Sequence, residues 1–417
     1  MNTNDETLAN GIGAEEPDPD YPTLFKRYIV HSVQTTLASL PAEMAQNWEA
    51  ARERALHVLG FGLAWAEAWP ATRDLLLLLA PKMEQAGHRD DWLPYLERGV
   101  VLSRQQNDRR AEAELTLAVG ELLRLRSKFA LARAQVETSI ALFTALGLAP
   151  RQAHALNELA FVAWQQHQYD EAETLAQSAL LMLEENDPER ATCFSRLGLV
   201  AIDRQQWAVA ERYHRQAIQI RQAQGDQRKF AWSLQNLGYA LRGQQKFSDA
   251  INSYEKAITI LEDMQDIGNC ANTRVNLGIV YWLAEQPRRA LDEYTVAESI
   301  LGKLHDIHNL AAVVNNKGLC YLALQEWKQA EDAFLSSIHL FQQIGDLNLR
   351  LNVLDGLGLA YLGQNQYDRA RFTFQSALDE LPQIAGTPMF DYLASVLPMH
   401  IAEALKKAND SSILCSV

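Results

Sequence analysis

Gln235-Asn236-Leu237-Gly238-Tyr239 recurs in near copy every 40 residues. Val275-Asn276-Leu277-Gly278-Ile279 and Asn315-Asn316-Lys317-Gly318-Leu319 repeat it, and Asp355-Gly356-Leu357-Gly358 follows one period later. Upstream the same anchor falls at Gly198, then at Ala160 after a shorter interval of 38 residues, then at Gly120. Seven units in register predict a solenoid, in which each unit buries its apolar face only against its neighbours.

Outward from the anchor, other columns repeat. Nine residues on stands an aromatic: Phe129, Tyr169, Trp207, Phe247, Trp327 and Tyr367, with Pro287 the exception. Twelve on is always alanine, from Ala132 to Ala370, and nineteen on is alanine or serine. Plentiful Ala, Leu, Gln and Glu favour helix, so each unit reads as a helix pair. A glycine inside a helix costs about 1 kcal/mol relative to alanine. Its repeated use predicts a close approach: Gly238 on the first helix facing Ala250 on the second, with Phe247 plugging the end of that pair.

Leu237-Gly238, Leu241, Ala250, Tyr254 and Ala257 stand at the spacings of the tetratricopeptide repeat, and the chain resembles that family over roughly 112–381. The period is longer than the usual 34 of this repeat. That longer form is similar to the repeats of kinesin light chains and of the Leu-Gly-Asn-rich spindle adaptors. Lys317 departs from the pattern by replacing the leucine before the glycine, and Pro287 by replacing an aromatic. The resemblance implies an all-α, right-handed α-solenoid of tandem helix-turn-helix repeats with a helical N-terminal module.

Residues 1–20 are acidic and polar and are expected to be a disordered tail. Residues 21–107 form the N-terminal module. It holds a helix from Thr23 to Ser39, a second opened by Pro41 and running to about Ala68, and a third opened by Pro70 and ended by Gly87. A fourth starts near Asp91 with Pro94 in its first turn. Gly99 falls in register with the small residue 21 before the anchor in later units, so about 75–107 reads as a degenerate leading repeat. Seven repeats fill 108–381. Residues 382–407 make a loop and a capping helix interrupted at Pro398, and 408–417 a polar tail.

The formal charge of −14 opposes general binding to nucleic acid. The longest apolar run, Leu75 to Ala80, is too short to span a membrane. Cys193, Cys270, Cys320 and Cys415 lie far apart, which reads as reduced thiols of a cytoplasmic protein. No catalytic set, phosphate-cradling loop or zinc spacing appears, so the chain is read as a non-enzyme without cofactor. His305-Asp306-Ile307-His308 is the nearest approach to a metal motif, and its place between two units makes it turn chemistry first.

What remains is a surface. First helices line the concave face of such a solenoid. Two before the anchor stand Arg196, Asn236, Asn276 and Asn316. An amide donates and accepts at once, so a row of asparagines holds a peptide backbone whatever its side chains. The resembled family uses asparagines here in that way. Around the row, Trp232, Gln235, Tyr239, Arg242, Asn272 and Asn315 would add contacts. The windows 230–244, 270–284 and 310–324 contain no Asp or Glu yet keep Arg242, Arg274 and Lys317. That predicts a neutral to mildly basic inner face suited to an acidic partner segment. The expected function is a protein-interaction scaffold binding an extended or helical partner segment. The alternatives are a peptide-gated regulator, similar in layout to Rap-type receptors, and a sensor subunit of a separately encoded enzyme.

Overall fold

In the computed structural model the described residues, 20–85 and 89–414, form helices joined by short connections, with no strand among them. The chain divides into two compact units between Glu185 and Asn186. That division falls inside the one interval of the repeat that is 38 rather than 40 residues.

The first unit holds α1 (Tyr21–Gln46), α2 (Trp48–Gly62), α3 (Trp69–Gln85), α4 (Arg89–Gln105), α5 (Arg109–Leu125), α6 (Phe129–Ala145), α7 (Ala149–Gln165) and α8 (Tyr169–Leu181). Val33, Leu40, Leu59, Leu75, Leu76 and Trp92 are fully buried at its N-terminal end. Pro41 does not open a second helix; it lies inside α1. The break comes at Asn47, whose extended backbone and side-chain acceptor for the Ala50 N–H start α2. Gly87, expected to end the third helix, and residues 1–19 of the expected tail lie outside the described residues. Gly99 packs closely, since a methyl there would stand 2.8 Å from Leu76 and 3.1 Å from Leu115.

The second unit holds α9 (Arg190–Asp203), α10 (Trp207–Gln224), α11 (Gln227–Gly243), α12 (Phe247–Asp263), α13 (Ile267–Leu283), α14 (Pro287–Lys303), α15 (Ile307–Ala323), α16 (Trp327–Ile344), α17 (Leu347–Gly363), α18 (Tyr367–Glu380) and α19 (Pro388–Leu414). Each helix packs on the next, from α9 on α10 to α18 on α19. Pro398 does not interrupt α19, which runs seven residues past the 407 expected for it.

The turns explain the regular period. Asp226, Asp266, Asp306 and Asp346 each cap a first helix by accepting a hydrogen bond from the backbone N–H three residues on. A left-handed residue closes the preceding helix, supplied by Gly225 and Gly345 (φ 73° and 71°) or by a side-chain-bearing residue such as Gln265 (φ 55°).

The anchor glycines face a different partner from the one expected. The side chain filling the space above each is the residue sixteen on, not the alanine twelve on. A methyl on Gly238, Gly278 or Gly318 would stand 2.8, 2.5 or 2.5 Å from the ring of Tyr254, Tyr294 or Phe334. These rings are almost wholly buried. Where the aromatic at nine is tryptophan, it reaches beyond its own pair. Trp207 and Trp327 lie over Gly243 and Gly363 in the first helix of the following repeat, where no side chain would fit beneath the indole. Gln244 and Gln364 seal these junctions by donating to the Trp207 and Trp327 carbonyls, at 3.3 and 3.4 Å.

Candidate functional site

The sequence-selected site residues all lie in the second unit, and the structure sorts them onto different sides of its first helices. Asn236, Asn276 and Asn316 occupy one register position on α11, α13 and α15 and are all half-buried. Asn276 Nδ2 donates to Asn272 O, 3.2 Å away in its own helix. Asn316 lies near the Tyr294 hydroxyl. The row stops at α17, where Gly356 takes the position and packs under the Phe334 ring.

Beside Asn236, Trp232 and Tyr239 are 37% and 36% exposed, so each ring offers an edge while its body packs. The Arg242 guanidinium lies 4.0 Å from the Tyr239 ring centroid, and Arg228 lies 5.8 Å from that of Trp232. Asn272 is exposed and Asn315 half-buried. Gln235 is committed to the next first helix, donating to Thr273 Oγ1 and, at 3.4 Å, to Asn269 O. Arg196 stands at the row's register position on α9 and is half-buried.

Arg274 and Lys317 do not belong to this face. Arg274 bridges Glu262 of α12 and Glu293 of α14, the latter at 2.6 Å, and Lys317 meets Glu298 of α14 at 2.6 Å. The carboxylates missing from the first helices therefore sit across from these cations on the second helices. Of the three cations that made the row's surroundings basic, only Arg242 remains beside it. At 100° per residue, positions one and four before the anchor leave a helix well away from the position two before it. His305 is a left-handed turn residue, Asp306 caps α15, and His308 Nε2 lies 3.8 Å from Asp346. No group of three potential metal ligands occurs among the described residues.

Sequence reading missed the ionisable groups inside the α9–α10 pair. His214 takes the ring position above Gly198, fully buried, with no hydrogen-bond partner on either ring nitrogen. Burial and the neighbouring Arg221 push its pKa down to about 3, so the imidazole is neutral. Arg221 takes a position that is leucine or phenylalanine in the other pairs of this unit. Burial, then the charge of Arg196, lowers it to about 10. It donates to Lys229 O at 3.0 Å and to Ser233 Oγ. Aligning the column sixteen after each anchor would have exposed His214 among Tyr254, Tyr294, Phe334 and Phe374. On α17 the buried Asp355 meets His400 Nδ1 of α19 at 2.7 Å, and burial raises its pKa.

No helix among the described residues is long and apolar enough to cross a membrane. The tetratricopeptide repeat family model matches residues 151–223, 189–263 and 309–379. No curated protein matches the sequence. Among solved structures, an ATPase of the STAND class with a tetratricopeptide repeat sensor from Pyrococcus horikoshii is similar. It shows 13% identity and a TM-score of 0.62 over 84% of this chain and 54% of its own. Aspartyl phosphate phosphatase F from Bacillus subtilis is similar at 12% identity and a TM-score of 0.52, over 92% of this chain and 98% of its own. A Rap protein complexed with Competence and Sporulation Factor shows 12% identity and a TM-score of 0.51, over 80% and 99%. At such identities the likeness is one of fold. Glycine anchors, buried rings, paired helices and family match agree that 151–263 and 309–379 are tetratricopeptide repeats.

Proposed function

We propose that this protein is a non-enzymatic interaction scaffold whose asparagine row holds an extended or helical segment of a partner protein. The observation that carries this is the recurrence of a half-buried amide at one register position on three consecutive first helices, α11, α13 and α15. Such a row supplies paired donors and acceptors at the spacing of the helices, which suits a peptide backbone. Trp232, Tyr239 and Arg242 border it with two ring edges and a stacked guanidinium, the residue types that dominate binding energy at protein interfaces.

The test is a crosslinking pull-down with the full chain, comparing wild type with the triple variant Asn236→Ala, Asn276→Ala, Asn316→Ala. The variant is expected to keep its helicity and melting temperature and to lose the captured partner. Undiminished capture would remove the row from the binding site.

A second reading is a regulator gated by a short peptide. The Rap protein complexed with Competence and Sporulation Factor shares the fold over most of the present chain. Small-angle scattering separates the two readings, because a gated regulator changes its dimensions on binding a peptide and a plain scaffold does not.

A further inference from the structure

A crevice of about 450 Å³ opens between α10 and α12 over α11. Leu234, Leu237 and Leu241 form its floor. They leave α11 on the side roughly opposite Asn236 and Tyr239, so this is a separate surface from the asparagine row. Its walls carry Arg215 and Gln222 from α10, and Ser253 and Lys256 from α12. Asp249 is the one carboxylate lining it.

One repeat further on, the same positions carry the opposite chemistry. Arg274 stands where α11 has Leu234, Glu262 where α10 has Gln222, and Glu293 where α12 has Ser253. Glu255 replaces Arg215. There the chain supplies its own occupant, the Arg274 guanidinium clamped between Glu262 and Glu293. At α11 that bridge cannot form, because a leucine replaces the cation and an amide and a hydroxyl replace the acids.

The charge that remains is positive. Lys256 makes no ion pair among the described residues. Arg215 shares the Glu211 carboxylate with Lys246, so two cations face one anion. Against the cost of partial burial, hydrogen bonds from Lys246, Gln244 and Arg215 hold Glu211 down at about 2. In a chain of net charge −14, a local excess of cations over an apolar floor attracts acids.

We propose that this crevice is a docking site for a partner segment that inserts a bulky apolar side chain flanked by carboxylates. The apolar group would rest on Leu234 and Leu237, and the carboxylates would reach Lys256 and Arg215. The crevice volume falls within the range of about 300–1,000 Å³ usual for sites that enclose a ligand. The proposal rests on the scaffold reading for the existence of a partner but uses none of the asparagine row.

The test uses the full chain and a fluorescein-labelled synthetic peptide in which glutamates alternate with leucine and phenylalanine. Its counterpart has lysine for every glutamate. Fluorescence anisotropy should show binding of the acidic peptide alone. Lys256→Glu combined with Arg215→Gln, both at exposed positions, should weaken it at least tenfold. Methyl NMR should show the Leu234 and Leu237 signals moving on titration, and the triple asparagine variant should bind as wild type does. No binding by wild type, equal binding of the lysine peptide, unchanged affinity in the double variant or unmoved leucine methyls would each overturn the proposal. Loss of binding only in the asparagine variant would place the peptide on the row, leaving the scaffold reading intact and removing the crevice.

Discussion

The helix pairs α9–α10 and α13–α14 share one template and differ at its two deepest places. In the second pair the ring above the anchor glycine is Tyr294, and seven residues later Leu301 completes the seam, both essentially buried. In the first pair these places hold His214 and Arg221. The shape is conserved while the polarity is not: an imidazole fills the slot of a larger ring and leaves both nitrogens without partners. The repeat thus specifies volume tightly and polarity loosely, and the α9–α10 core is held by packing in spite of desolvated groups.

The largest expected effect comes from emptying the ring slot. Tyr294→Ala should cost about 3–5 kcal/mol, as for other large buried aromatics. His214→Ala should cost clearly less, because it removes a smaller ring together with two unsatisfied nitrogens. Urea denaturation of both variants checks this, and equal losses would mean that the two slots are equivalent after all.

Acid should separate the pairs next. A histidine held neutral in the folded state, with its pKa at about 3 against an ordinary value of 6.5, contributes nothing unfavourable above 6.5. As the pH falls below 6.5 the unfolded chain takes up a proton that the folded chain refuses. Stability is then lost at about 1.4 kcal/mol per pH unit, or about 2 kcal/mol by pH 5. His214→Phe should abolish that slope between pH 6.5 and 5. The difference between wild-type and variant unfolding free energies across this window is the measurement, and parallel profiles would show that His214 does not titrate as described.

The smallest effect concerns the turns. Gly225 ends α10 in the left-handed region, while Gln265 ends α12 in the same conformation with a side chain attached. Gln265→Gly should raise the stability of the α12–α13 turn by about 0.5–1 kcal/mol. A lowered melting temperature would show that the glutamine side chain makes a compensating contact.

Much of this architecture was legible because it is periodic. Identical glycines and alanines at fixed spacing announce helix pairs without any structure. The ring column was harder to see, because Val136, Ala176 and His214 break the run completed by Tyr254, Tyr294, Phe334 and Phe374. What they share is fit to the anchor opposite, visible where Ala160 stands in place of glycine and the residue sixteen on shrinks to Ala176. The candidate site was legible only in part. Asn236, Asn276 and Asn316 fall on one register, but Gln235 is taken up by Thr273, and Arg274 and Lys317 by acids of the neighbouring helices. Charge counted along a helix does not say which side carries it; the helical angle does, and both cations lie away from the amides.

Trp207 on Gly243 and Trp327 on Gly363 carry a consequence for how such a chain can be rearranged. A repeat whose second helix begins with that tryptophan accepts as successor only a first helix with glycine at the meeting point. The helix α17 offers this to α10, with Gln364 placed to serve as Gln244 does. The helix α13, with Leu283 at the same place, does not. The units are therefore keyed, each carrying on one edge the shape of its permitted neighbour. Recombination among them would conserve reading frame and period far more often than it conserved fit.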